Sequence, residues 1–241
     1  MSPTIHSHLE KQMPATTRRL ETATSPASTP PGPSVRGPRS GIELVSLFDG
    51  FAIDEHPSAP TVRRWAVDYL CHPHKDLGRR GPVCPFAGPS ITRRLFWAAF
   101  VPGTDVGEDR MRAIADDLAE LFPGLPPDTG ADAALKAVVV VFPDLTDYDL
   151  IERVQNDRKS DFVVQGLMLG QFYPGCTVSG LRNSEFRALD APVPMLAVRH
   201  MVGSDFPFLT ADREWVLAYL KKFAGSVPSS VRTEIAEKLA S

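Results

Sequence analysis

Residues 135–142 read Leu135-Lys136-Ala137-Val138-Val139-Val140-Val141-Phe142. Four consecutive valines favour extended backbone, and a short unbroken apolar run marks a strand buried on both faces. Such a strand needs neighbours in a sheet and cover above and below it. Upstream, residues 108–122 carry Met111, Ile114, Leu118 and Leu121 at helical spacing, and Pro123-Gly124 stops the helix. Before it, residues 94–101 read as a strand ended by Pro102-Gly103. Further back, Val62, Trp65, Ala66 and Tyr69 mark a helix over 60–69, with Ser58 as its cap. The folded part is expected to begin near residues 42–51.

Downstream, Thr146 or Asp147 can cap a helix that turns Leu150, Ile151, Val154 and Phe162 inward. A short apolar strand comes next over 167–173, closed by Pro174-Gly175, and then an irregular excursion over 177–192. Residues 195–201 alternate, with Met195, Ala197 and Arg199 on one face and Leu196, Val198 and His200 on the other. An amphipathic helix over 212–223 and a last helix over 231–239, capped by Ser229 or Ser230, complete the chain. The order predicts an α+β fold: a mixed or antiparallel sheet with helices packed mainly on one face, in the manner of ferredoxin-like proteins.

The chain has 241 residues, which suits one domain with an appendage. Residues 1–40 are rich in Pro, Ser, Thr and Gly and read as a disordered leader, with residues 41–241 as a single α+β domain. His6 and His8 lie in that leader and are assigned no role. The N-terminus lacks a basic start followed by an apolar core, so no signal peptide is expected. A net charge of -3 offers no electrostatic reason for nucleic acid or an anionic membrane as partner. The three cysteines, Cys71, Cys84 and Cys176, form no CxxC pair. A disulfide scaffold is not expected, and a reducing, cytoplasmic location is.

Three segments concentrate chemistry-bearing side chains. The loop over 71–86 brings together His72, His74, Asp76, Arg79, Arg80, Cys71 and Cys84. Imidazole binds iron or zinc, a cysteine thiolate is a ligand or nucleophile, and Arg79 and Arg80 suit the carboxylates of haem. The spacing is not that of a structural zinc site, and satisfied loop histidines with a buried thiol explain the same residues. His200, at the end of an apolar strand, must fill both ring nitrogens; iron with one acceptor does this, and so do two hydrogen bonds. The excursion contributes Glu185, and the stretch after the last strand contributes Asp205. Either carboxylate suits a cationic group such as guanidinium, and solvated loop charges are the competing reading.

The stretches HPHKDLGRRGPVCPFA, GQFYPGCTVSGLRN and PVPMLAVRHMVGSDFPFL, within residues 60–215, resemble a bacterial family of unknown function found near secondary-metabolite pathways. More distantly the chain is similar to the YcgG-type haem proteins, some of which hydroxylate guanidine nitrogens. The corresponding positions are Cys84-Pro85-Phe86, residues 166–174, and His200 with Phe206. The cysteine–proline order is reversed here, and residues 180–192 are this chain's own. The resemblance implies a haem b monooxygenase of antibiotic biosynthesis acting on L-arginine or a related guanidine, with O2 and an external electron donor. It places His200 first as metal ligand, His72 or His74 second and Cys84 third, with Arg79 and Arg80 on the propionates. Glu185 and Asp205 would hold the substrate. A non-enzymatic haem-binding protein, a metal-dependent hydrolase using His72 and His74, and a scaffolding partner are the competing readings. A homodimer is left open.

Overall fold

A computed structural model describes residues 34–49, 56–226, 232, 233, 235 and 236. Among these, six strands form one sheet: β1 (Val35–Arg36), β2 (Glu43–Ser46), β3 (Phe96–Phe100), β4 (Ala137–Val141), β5 (Leu167–Phe172) and β6 (Met195–His200). Their order is β1-β2-β3-β4-β6-β5. The principal helices are α1 (Ala59–Arg64), α2 (Ala87–Thr92), α3 (Glu108–Leu121), α4 (Tyr148–Val163) and α5 (Arg213–Phe223). The α+β class and the mixed sheet agree with the reading of the sequence.

The valine run is the centre of the sheet, as its composition requires. Val138 and Val140 enter one core with Met111, Ile114 and Leu118 of α3 and Ile151 and Val154 of α4. Val139 and Val141 enter a second core with Val62 and Ala66 on the opposite face. The four valines are at most 2% exposed. β3 and β4 are parallel, joined through α3, and the other pairings are antiparallel. The strand order departs from the ferredoxin-like expectation, because the unit β3–α3–β4 sets its two strands side by side. The two longest helices cover one face. The other face is covered only in part, by α1 and the turn that continues it.

That continuation is the main local departure. The helix expected over 60–69 begins at Ala59, with Ser58 as N-cap but no capping bond from its side chain. It widens into a π-helical turn, Trp65–Leu70. Apolar residues three to four apart are compatible with either winding, so the period could not show the change. Asp147 does cap α4, its carboxylate accepting from the Leu150 N–H.

The leader expectation is corrected at its C-terminal end. Residues 34–40 belong to the fold: β1 pairs with β2, and the Arg39–Ser40 turn is held by Asp117 of α3. The Asp117 side chain, fully buried, accepts from the backbone N–H groups of Arg39 and Ser40 and from the Ser40 hydroxyl at 2.6 Å. Burial opposes its charge, but the bonds from Ser40 and Arg39 prevail and hold its carboxyl below the usual range. Residues 1–33, with His6 and His8, and the proposed cap Ser229 or Ser230 lie outside the described residues. Positions 232, 233, 235 and 236 are helical, inside the helix expected over 231–239.

Asp117→Ala removes the shared acceptor and leaves buried donors unpaired, at a cost of about 2–3 kcal/mol. Urea titration is expected to show that loss, and trypsin to cut at Arg36 or Arg39 faster than in the parent chain.

Candidate functional site

The partly covered face of the sheet has a simple composition, set by the period of two. Register places Ala98, Val139, Ala197 and Gly170 in one row across β3, β4, β6 and β5. The adjacent row is Phe96, Ala137, Arg199 and Met168. Small side chains in the first row and at Ala137 leave a shallow trough. Trp65, Leu70, Cys84, Phe86 and Ala87 close over it. The result is an apolar cavity of about 380 Å³. That lies in the lower part of the ~300–1,000 Å³ range usual for small-molecule sites. It reaches the unpaired edge of β5, where Gln155 donates to the Leu169 carbonyl at 2.9 Å.

The charges around this cavity are one-signed. Its lining includes Lys136, Lys159 and Arg199, and no Asp or Glu among the described residues. Each cation has a protein partner. Lys136 Nζ donates to the carbonyls of Phe122, Pro123 and Leu125, at 3.1, 3.0 and 2.7 Å, and so caps the end of α3. Burial pushes the Lys136 ammonium below its ordinary pKa. Lys159 Nζ donates to the Phe208 carbonyl and lies 4.2 Å from the centre of the Trp215 ring. Arg199 forms two bonds of 2.7 Å with Asp205. Burial opposes the Arg199 charge, but the Asp205 carboxylate more than offsets it and raises its pKa. Asp205, 2% exposed, also accepts from the Val202 N–H at 2.8 Å and so fixes the turn after β6.

A second, more open groove of about 740 Å³ has the opposite charge. Asp68, Asp76, Glu185 and Asp190 outnumber Arg64 and Arg187 on its walls. Arg187 is held by the Thr177 and Ser184 carbonyls, each at 3.0 Å. Tyr69, His74 and Phe186 supply ring surfaces, with centroids 6.2 Å apart for Tyr69–His74 and 5.0 Å for His74–Phe186. Trp65 lines both spaces, and its buried indole N–H has no acceptor.

The residues singled out from sequence are thereby divided. Cys84 and His200 line the cavity; His74 and Glu185 line the groove. His72 is exposed and lines neither. Exposed Arg79 donates to the carbonyls of Arg80 and Val83, and it and Arg80 lie outside both linings. Asp205 does not face a substrate: it already holds the guanidinium of Arg199. His200 lies, as alternation requires, on the sheet face opposite Ala197 and Arg199, and its ring meets Phe122 at 5.0 Å between centroids. Burial, then the charges of Lys222 and Lys136, push its imidazole down to about pKa 4. It is therefore neutral at pH 7. Among the described residues no group of three or more His, Cys, Asp or Glu could hold a metal ion. No helix of the described residues is long and apolar enough to cross a membrane.

Sequence reasoning missed Trp65 as a shared wall, the two lysines, and the small-residue trough. The alternation at Ala197 and Gly170 carried a signal, but only the register aligns the two.

Fold and cavity together define an α+β protein with a mixed sheet and an apolar cavity on its less covered face. Residues 59–234 match the family described as a domain of unknown function, DUF6875, and the chain belongs to that family. Comparison with curated proteins and with solved structures returns no match.

His200 makes folding pH-dependent with a definite sign. Unfolded, its imidazole titrates near 6.5; folded, near 4. Between these values the unfolded state binds the extra proton, so stability falls as pH falls from 6.5 towards 4. His200→Gln is expected to lose less stability than the parent over that window, by roughly 1 kcal/mol once solvent screening of a half-buried ring is allowed for. Urea midpoints at pH 7 and pH 4.5 measure it.

Proposed function

We propose that this chain binds haem in the apolar cavity and oxygenates a guanidine nitrogen, with L-arginine the first substrate to test. The observation that carries this reading is the opposite charge of the two spaces that meet at Trp65. An apolar cavity with cations and no carboxylate suits a flat apolar ring system bearing carboxylates. An acidic, aromatic-walled groove suits a guanidinium, through charge-assisted hydrogen bonds and ring stacking.

The residues fit haem in three respects: a trough floored by Gly170, Ala197 and Ala137, an orphaned indole N–H on the wall, and two side chains able to ligate iron. Cys84, in the roof over the trough, is the ligand favoured by placement. His200, neutral but on the far face of β6, is second, which reverses the preference drawn from the sequence. Haem supplies activation of O2 when bound, with electrons from an external donor. Arg199 is held rigid by Asp205 and keeps the cavity positive. Trp65 separates cavity from groove. Glu185, Asp68 and Asp190 in the groove orient the cationic end of the substrate, a role that Asp205, committed to Arg199, does not take.

Titration of the purified protein with ferric haem is expected to give a saturable Soret band at one haem per chain. Ala197→Leu fills the trough and is expected to weaken haem at least about tenfold, or about 1.4 kcal/mol, with an unchanged circular dichroism spectrum. The ferrous carbonyl spectrum separates thiolate from imidazole ligation, and Cys84→Ala and His200→Ala each remove one. Arginine is expected to shift the Soret band, less so in Glu185→Gln. Absence of any saturable Soret band under reconstitution rejects the proposal, whereas haem binding with no response to arginine leaves the non-enzymatic haem-binding reading.

A further inference from the structure

Cys71 and Cys84 are separated by twelve positions of chain but not by the backbone. Leu70 ends the π-turn, and the loop after it folds back on itself through a bridge between Pro73 and Pro82. Two backbone bonds close the loop base: Val83 N–H to the His72 carbonyl at 2.9 Å and, one residue out of that register, Cys84 N–H to the Leu70 carbonyl at 2.8 Å. The accepting carbonyls belong to the residues on either side of Cys71, so Cys71 and Cys84 lie together at the base of the loop. The Cys84 N–H, bonded to the carbonyl that adjoins Cys71, sets the two main chains side by side, and a disulfide spans Cα atoms ~4.4–6.8 Å apart. Both cysteines are free, and both are partly buried against the same apolar cluster. Cys176, the remaining cysteine, is buried in the other core.

We propose that Cys71 and Cys84 form a reversible disulfide across the base of the 72–83 loop, a redox modification site that alters the roof of the cavity. The oxidant is a low-molecular-weight disulfide. The thiolate of Cys84 attacks one of its sulfurs and releases one small thiol, leaving a mixed disulfide on Cys84. The thiolate of Cys71 then attacks the Cys84 sulfur and releases the second small thiol. Two protein thiols and one small disulfide thus become one protein disulfide and two small thiols. Burial, then the proximity of Cys84, raise the Cys71 thiol above its ordinary pKa and so lower its thiolate fraction, which disfavours it as the first attacker. Since Cys84 lines the cavity and Cys71 does not, the bond draws a sulfur off the cavity wall and ties the loop that carries it. The inference stands on the loop backbone and is independent of what the cavity holds.

The experiment uses the full chain without added ligand, exposed to oxidised glutathione and then denatured for thiol counting. The count is expected to fall from three to one. The mass is expected to fall by two hydrogens, with a proteolytic fragment linking Cys71 to Cys84, and dithiothreitol restores all three thiols. Binding of an apolar fluorescent dye to the native protein is expected to change at least threefold between the two forms. Cys84→Ser and Cys71→Ser are each expected to keep two thiols or carry glutathione, with no internal link and no loss of circular dichroism. Three thiols remaining, a stable glutathione adduct on the parent chain, or a link to Cys176 each overturn the disulfide. A formed disulfide with unchanged dye binding overturns its effect on the cavity.

Discussion

Burial of β4 on both sides at once is the constraint on which the rest hangs. A strand of valines has no solvent face, so each of its surfaces must be met by a separate layer. Val138 and Val140 organise α3 and α4 on one side; Val139 and Val141 organise α1 and its π-turn on the other. Fully burying a side chain of this size contributes ~1.5–3 kcal/mol, so the four are a large share of the net stability of a domain. The parallel pairing with β3 is a consequence, since a crossover helix such as α3 joins parallel neighbours and at the same time covers a face.

The two faces are not treated equally, and the site arises from that difference. The face under α3 and α4 is filled by Leu, Ile, Met and Phe side chains. The other receives a short helix and a proline-rich loop, over a row of inward residues that shrinks to Ala197 and Gly170 towards β5. Small residues there exchange packing energy for space. The cations around that space are each fixed to the protein: Lys136 to the end of α3, Arg199 to Asp205, Lys159 to the turn at Phe208. Charge is present without freedom to collapse into the opening.

The Arg199–Asp205 pair shows how a site residue chosen by type can be misassigned. A buried carboxylate six positions after an arginine suits an external guanidinium and an internal one equally well. The internal one wins because β6 directs Arg199 to the same side as the turn that carries Asp205. His200 illustrates the converse. Its place on the far face followed from alternation alone, but the cost of charging it did not, because the groups that bury it and the charges of Lys222 and Lys136 come from elsewhere in the chain.

Read alone, the chain specified its α+β class, the element order from β3 onward, the two-sided central strand, the inward stripes of α3 and α4, and the alternation that separates Arg199 from His200. These are short-range properties: side-chain branching, periods of two and three to four, and Pro-Gly stops act within a few residues. Tertiary structure alone decided the neighbours of β4 and the inclusion of residues 34–40 through Asp117. It also decided the π-winding at Trp65, the alignment of Gly170 with Ala197, and the closing of the loop base at Leu70 and Cys84. Each of these depends on register or on a partner far away in sequence, and such pairings are set by how whole layers pack, which no local window contains.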